Sequence, residues 1–175
     1  MSKAYKARRA ALYVPATKSR ALEKARTMDA DVVILDLEDA VAAEDKARAR
    51  ETAAAMLKSF APHEVVVRVN SAGTIWHDAD VAAMVQAQPH AILLPKISGA
   101  EDIEAAKTKC GGVPLWAMIE TPRAVCSALA IADAGVDCLI FGVNDLVSLC
   151  RRAIVVGLIN PKGEIRRKGE RRIKL

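Results

Sequence analysis

The residues best suited to chemistry in this chain follow short apolar runs. Asp36, Glu38 and Asp39 come after Val32-Val33-Ile34-Leu35, Arg68 and Asn70 close Val65-Val66-Val67, and Lys96 follows Ile92-Leu93-Leu94-Pro95. Glu120 follows Leu115-Trp116-Ala117-Met118-Ile119, and Asn144 and Asp145 follow Cys138-Leu139-Ile140-Phe141. Such runs read as strands buried on both faces, as in a parallel sheet covered by helices. An ionised carboxylate at the tip of such a strand loses hydration unless a cation or donor meets it, so the acids at 36, 38 and 39 need partners. An oxygen-only donor set suits Mg²⁺ or Mn²⁺, which take one or two protein carboxylates plus water and substrate oxygens. An arginine beside them could clamp a substrate carboxylate or stabilise a developing enolate oxyanion.

Each residue also has a plainer reading. Glu38 and Asp39 could cap or solvate a following helix. Glu120 could be a helix-start acid before Thr121-Pro122, Asp145 could form a turn, and Arg68 could pair with Asp36 across neighbouring strands as a structural ion pair. The shared-site reading is favoured because several strands end in charge after purely apolar runs, which packing alone does not require. His77, in a long loop, reads as a surface or substrate-loop residue rather than a ligand. Lys96 is a weaker candidate than Arg68, since the carboxylate set leaves no need for a Schiff-base lysine.

The elements that must position these residues alternate along the chain. A strand over 10–14 stops at Pro15, and Thr17 could cap a helix carrying Leu22, Ala25 and Met28. A strand over 32–37 precedes a long amphipathic helix over 44–60, ended by Pro62. Then come a strand over 65–69, a helix over 78–86, a strand over 91–94 and a helix over 99–110 stopped by Gly111-Gly112. A strand over 115–119, a helix from Pro122 to about 134 and a strand over 138–141 complete the pattern. The rhythm is that of βαβ units. It predicts an α/β fold, a TIM (β/α)₈-type barrel that is incomplete, with about six βα units, because eight need roughly 250 residues and the chain has 175. An open doubly wound sheet is the alternative; in a barrel, however, all the polar strand tips converge on one mouth.

The expected division is a partial barrel over 1–149 and a basic C-terminal tail over 150–175. From Arg151 to Leu175 there are nine Lys/Arg against two Asp/Glu, whereas the other residues carry 17 against 19. The net charge of +5 therefore belongs to the tail, and a nucleic-acid role would rest on 166–174 alone. Residues 154–159 could form one more strand. Cys110, Cys126, Cys138 and Cys150 show no C-x-x-C pair, and His63, His77 and His90 show no ligand spacing. No apolar run approaches the roughly 18 residues of a membrane span, and the N-terminus lacks a signal-peptide core. A cytoplasmic protein without a membrane partner is expected.

The strand-end text resembles that of the HpcH/HpaI aldolase and citrate lyase β-subunit family of acyl-CoA-ester lyases. The matching segments are Leu12-Tyr13-Val14-Pro15, Val33-Ile34-Leu35-Asp36-Leu37-Glu38-Asp39-Ala40-Val41, Val67-Arg68-Val69-Asn70, Thr74-Ile75-Trp76-His77-Asp78-Ala79-Asp80, Leu94-Pro95-Lys96, Ile119-Glu120-Thr121 and Phe141-Gly142-Val143-Asn144-Asp145-Leu146. The resemblance implies a TIM barrel with Mg²⁺ held by Glu120 and Asp145. It implies that Arg68 binds the carboxylate or keto end of the substrate and polarises its oxygen, with Glu120 facing the substrate too. Asp36, Glu38 and Asp39 would hold waters of the metal and orient Arg68, and Lys18 and Arg20 would meet CoA phosphates. The implied reaction breaks or forms a carbon–carbon bond between a carbonyl fragment and an acyl-CoA or pyruvate enolate. Citryl-, citramalyl- and malyl-CoA are the candidate substrates, and a homo-oligomer is the expected assembly.

Two departures shape the expectations. Ala16 stands where the family often has Gly, and the resemblance stops near Leu146, before the family's last two βα units. A six-unit barrel exposes two strand edges. The alternative to an active lyase is therefore a truncated, non-catalytic homologue or interaction subunit, and a small basic nucleic-acid-binding protein ranks third.

Overall fold

The structure, a computed structural model, describes residues 7–153, 158–159 and 165–166, with side chains over 7–149. Six strands form one parallel sheet: β1 (Ala11–Pro15), β2 (Val32–Asp36), β3 (Glu64–Arg68), β4 (Ala91–Leu94), β5 (Leu115–Ile119) and β6 (Cys138–Phe141). Their order in the sheet is their order in the chain. A doubly wound sheet reverses direction at a switch point; here every crossover advances the same way, as around a barrel. Six strands make a curled, incomplete (β/α)₈-type barrel, with β1 and β6 as its edges among the described residues.

The helices are α1 (Ser19–Ala25), α2 (Lys46–Met56), α3 (His77–Ala87), α4 (Ala100–Lys109), α5 (Pro122–Cys126), α6 (Ala128–Asp133) and α7 (Val143–Ala153). Several differ from the sequence reading. Helix α1 starts after Lys18 without a side-chain cap and ends before Met28, so Thr17 is no cap and Met28 lies outside the helix, 40% exposed. The expected helix over 44–60 is α2 flanked by 3₁₀ turns, Ala43–Asp45 and Leu57–Phe60. The one expected from Pro122 breaks at Ser127 into α5 and α6. Thr121 caps α5, its hydroxyl accepting from the Ala124 N–H at 3.0 Å, with Pro122 in the first turn where its missing donor costs nothing. Gly111 and Gly112 have φ of 56° and 83°, the left-handed geometry that ends α4 cheaply in glycine. Of the tail expected over 150–175, residues 150–153 continue α7, and Leu158–Ile159 pairs antiparallel with Ile165–Arg166. The rest of that tail, with most of 166–174 and of the strand expected over 154–159, lies outside the described residues.

Alternation along the strands sorts side chains into two layers. Val33, Leu35, Val65, Val67, Ile92, Leu94, Ala117 and Ile119 face the helices and pack in the main core with Leu22, Phe60, Met84, Ile103 and Ile131. Val32, Ile34, Val66, Ala91, Leu93, Trp116 and Met118 form a smaller cluster on the opposite, barrel-interior face. Burying each large aliphatic side chain stabilises the fold by about 1.5–3 kcal/mol. β2, β3, β4 and β5 are buried throughout, which is why they read as unbroken apolar runs. Asp36, Arg68 and Glu120 continue the interior parity at the C-terminal ends of β2, β3 and β5. A one-residue register slip would drive all three into the helix layer.

Candidate active site

The strand tips meet at a mouth holding a cavity of about 660 Å³, lined by Tyr13, Asp36, Asp39, Arg68, Glu120 and Asp145, among others. Register sets its first contact: β2 and β3 pair Asp36 opposite Arg68. Arg68 Nε and Nη2 donate to Asp36 Oδ1 and Oδ2, both at 2.7 Å. The backbone N–H groups of Glu38 and Ala40 donate to the same two oxygens at 2.9 and 3.1 Å. Asp36, 1% exposed, is thereby engaged on both oxygens and fixes the guanidinium plane.

Arg68 Nη1 is left towards the other acids. It lies 3.3 Å from Asp39 Oδ2 and 3.2 Å from Glu38 Oε2, and the Tyr13 ring flanks the guanidinium at 5.4 Å. The Glu38 contact satisfies ion-pair distance but not hydrogen-bond geometry, so Oε2 is a buried oxygen without a hydrogen-bond partner. Burial pushes the Glu38 carboxyl up to about 7, against the pull of Arg68 and with the push of Asp39. Burial opposes the charge on Arg68, yet the paired Asp36 holds its proton more tightly than in an ordinary arginine.

The second half of the mouth centres on Glu120 and Asp145. Glu120 is 2% exposed, and burial raises its carboxyl above the usual range. Its Oε1 accepts the Lys96 backbone N–H at 2.7 Å. Asp145, in the first turn of α7, is hydrogen-bonded and ion-paired to Lys96 Nζ. Gly142 lets the two segments approach: a Cβ there would lie 2.7 Å from Glu120 Cβ and 2.9 Å from its Oε2.

Behind the acids runs a buried network that the sequence reading did not foresee. Lys46 Nζ donates to the carbonyls of Leu37 and Glu38 at 2.8 and 2.7 Å and to Asn70 Oδ1 at 2.6 Å. Asn70 Nδ2 donates to Asp80 Oδ2 at 2.6 Å, and Asp80 pairs with Arg50 at 2.7 Å. His77 is no surface or loop residue: it opens α3, is buried, and its Nδ1 lies 2.8 Å from the Asn70 carbonyl oxygen. The signal available in sequence was the polar set Lys46, Asn70, His77 and Asp80, but its connection depends on three different elements folding together.

Most of the expected site residues therefore converge. Asp36, Asp39, Arg68, Glu120 and Asp145 line the cavity, and Glu38 sits against Arg68. Lys18 and Arg20 do not line it; both are exposed at the start of α1, just beyond the β1 tip. Lys96, the weaker candidate in sequence, turns out to touch three of the acids. Among the described residues no group of three or more His, Cys, Asp or Glu side chains forms a ready metal cage. Glu120 and Asp145 nevertheless approach one cation together, and two carboxylates are the protein's usual share of a Mg²⁺ shell. The residues present fit such an ion.

The sequence profile of HpcH/HpaI aldolase/citrate lyase matches residues 9–152. The chain belongs to that family. A (3S)-malyl-CoA thioesterase of Cereibacter sphaeroides is 43% identical over 141 residues, covering 79% of this chain and 50% of the relative. The mitochondrial citramalyl-CoA lyase of Rattus norvegicus is 36% identical over 104 residues, covering 57% of this chain and 31% of that one. Both of these family members act on acyl-CoA esters. Among solved structures, protein CitE of Mycobacterium tuberculosis in complex with magnesium, acetoacetate and coenzyme A superposes with a TM-score of 0.69 at 28% identity, covering 92% of this chain and 57% of that one. The chain spans about half the length of the curated relatives it matches. Among the described residues no helix is long and apolar enough to cross a membrane.

Proposed function

We propose that this family member is a Mg²⁺-dependent carbon–carbon lyase for an acyl-CoA ester of a hydroxy di- or tricarboxylic acid, of the citryl-, citramalyl- or malyl-CoA type. The observation that carries the reading is the pairing at the mouth. Arg68, clamped on two nitrogens by Asp36, presents its third towards a cavity in which Glu120 and Asp145 share one cation. The magnesium, acetoacetate and coenzyme A bound by the CitE homologue support it.

Mg²⁺ held by Glu120 and Asp145 would supply Lewis-acid polarisation of a keto or carboxylate oxygen. Arg68 Nη1 donates to the substrate's carboxylate or keto end and stabilises the oxyanion of the enolate as the carbon–carbon bond breaks. Asp36 and Asp39 hold the guanidinium in place. Glu38, buried with its carboxyl pushed up to about 7, lies 3.2 Å from Arg68 Nη1 and helps to orient it. Lys18 and Arg20, exposed beside the β1 tip, meet the CoA phosphates. Among the described residues β6 is an edge strand, and Phe141 and Val143 exposed beside it support assembly into a homo-oligomer.

Thioester hydrolysis is the second reading, favoured by the 43% identity to a malyl-CoA thioesterase. One experiment separates the possibilities. Mg²⁺ binding is measured by calorimetry with oxaloacetate or pyruvate present, for the chain and for Glu120→Ala plus Asp145→Ala, and products are then identified from malyl- and citramalyl-CoA. The lyase reading expects binding that the double substitution abolishes, and acetyl-CoA with glyoxylate or pyruvate as products. Free CoA with the intact hydroxy acid means hydrolysis. Absence of Mg²⁺ binding and of turnover leaves a non-catalytic homologue.

A further inference from the structure

Lys96 occupies a place that its strand would not give it. Ile92 and Leu94 of β4 face the helices, and continuing that alternation would send Lys96 there too. Instead its φ is +55°, the left-handed conformation that is strained for a non-glycine residue, and the chain turns into the mouth. Sustained strain of this kind collects where a group must be held for function. Two contacts fix the outcome. The Lys96 N–H donates to Glu120 Oε1 at 2.7 Å, and Nζ reaches the same oxygen at 3.7 Å. Nζ also binds Asp145 and lies 3.8 Å from Asp39 Oδ2.

The ammonium thus sits between the two carboxylates assigned to the metal. A divalent ion coordinated by both would lie within a few ångströms of Nζ, and two cations at that separation repel strongly in a partly buried site. They exclude each other. Resting on the metal reading above, we propose that Lys96 is the built-in counter-ion of the Glu120–Asp145 site, occupying it in the metal-free chain and yielding it to a divalent cation. The displaced ammonium has somewhere to go. Its side chain is 37% exposed on a flexible stem, and Asp39, 54% exposed, is already near. The backbone bond to Glu120 does not depend on Nζ, so the carboxylate keeps its orientation during the exchange. Metal binding then turns Lys96 from a partner of Asp145 into a cation facing the cavity, where it meets an anionic substrate group.

The test is a Mg²⁺ titration of the full chain and of Lys96→Met, without substrate, followed by calorimetry. Removing the competing charge is expected to tighten Mg²⁺ binding by roughly tenfold or more. In parallel, amine acylation read by mass spectrometry reports on Lys96 in the unsubstituted chain. Its labelling is expected to rise with Mg²⁺, and this readout stands even if Lys96→Met fails to fold. Mg²⁺ binding that is equal or weaker in Lys96→Met, or labelling that saturating Mg²⁺ leaves unchanged, overturns the exchange while leaving the metal site standing. No Mg²⁺ binding to either protein removes the metal reading itself, and the exchange with it.

Discussion

The two ends of β3 carry the same chemical pair in different company. At the N-terminal end, Glu64 is gripped by Arg8, with Nε and Nη2 at 2.9 and 2.7 Å from its two oxygens, and the Arg8 guanidinium lies 4.9 Å from the Trp116 ring centroid. That pair closes the floor of the half-barrel. At the C-terminal end, Arg68 grips Asp36 with the same fork, but Glu38 and Asp39 also crowd it, Glu120 and Asp145 gather on Lys96, and Lys46 lies behind, so that among the described residues five carboxylates face three cations. At the floor, Glu64 meets Arg8 on both oxygens, and Asp137 also bears on the same guanidinium. The mouth holds an excess of carboxylate that no packing requirement explains, and burial drives Glu38 and Glu120 towards their neutral forms. The difference between floor and mouth is the difference between a plug and a candidate site.

The largest effect that can break this comparison comes from removing each arginine in turn. Arg68→Met leaves Asp36 and Glu38 buried without their cation and is expected to cost about 3–5 kcal/mol of stability. Arg8→Met, at a side chain 28% exposed, is expected to cost roughly 1–2 kcal/mol. Urea denaturation of both proteins measures the gap, and equal losses would show that the mouth pair is no more than a second plug. A middle-sized effect is expected from Gly142→Ala. The added methyl meets Glu120 at 2.7 Å, so a loss of about 1–3 kcal/mol should accompany weakened Mg²⁺ binding. Unchanged calorimetry would mean that Glu120 has room to retreat.

The smallest effect sharpens the electrostatic half of the comparison. The Glu38 carboxyl is raised from 4.5 to about 7 in the folded chain, so its neutral form favours folding. That contribution is fully present below pH 4.5 and is lost as the pH rises to about 7. Glu38→Gln keeps a neutral side chain throughout. Its stability relative to the unsubstituted chain should rise between those two pH values, as read from denaturation midpoints. A pH-independent difference would mean that Glu38 is ionised in the fold at all these values.

Much of the site was legible because the strands advertise themselves. Val32 to Leu35, Val65 to Val67 and Leu115 to Ile119 are buried on both faces, so the first charged residue after each marks a strand tip. Asp36, Arg68 and Glu120 were readable on that ground alone. Helix α7 was not, because Gly142-Val143-Asn144-Asp145 carries the composition of a turn and gives no sign that Val143 opens a helix. Lys96 was undervalued for a related reason: its approach to Glu120 and Asp145 depends on a left-handed backbone angle that a lysine does not announce. The break at Ser127 and the Lys46 network are tertiary events. The first divides an otherwise helical alanine-rich stretch. The second needs three main-chain and side-chain oxygens from the loops that follow β2 and β3 to converge on one ammonium.

The alternation that separates the helix-facing core from the barrel interior also limits how the gene can vary. Inserting or deleting one codon within β2, β3 or β5 would exchange the two faces beyond the lesion, turning Asp36, Arg68 or Glu120 into the oily layer and a valine or isoleucine into the mouth. Substitutions can accumulate along these strands, but changes of length are confined to the segments between them. The spacing of the acids is thus inherited as a reading of strand parity, and loops are the part of the sequence free to lengthen.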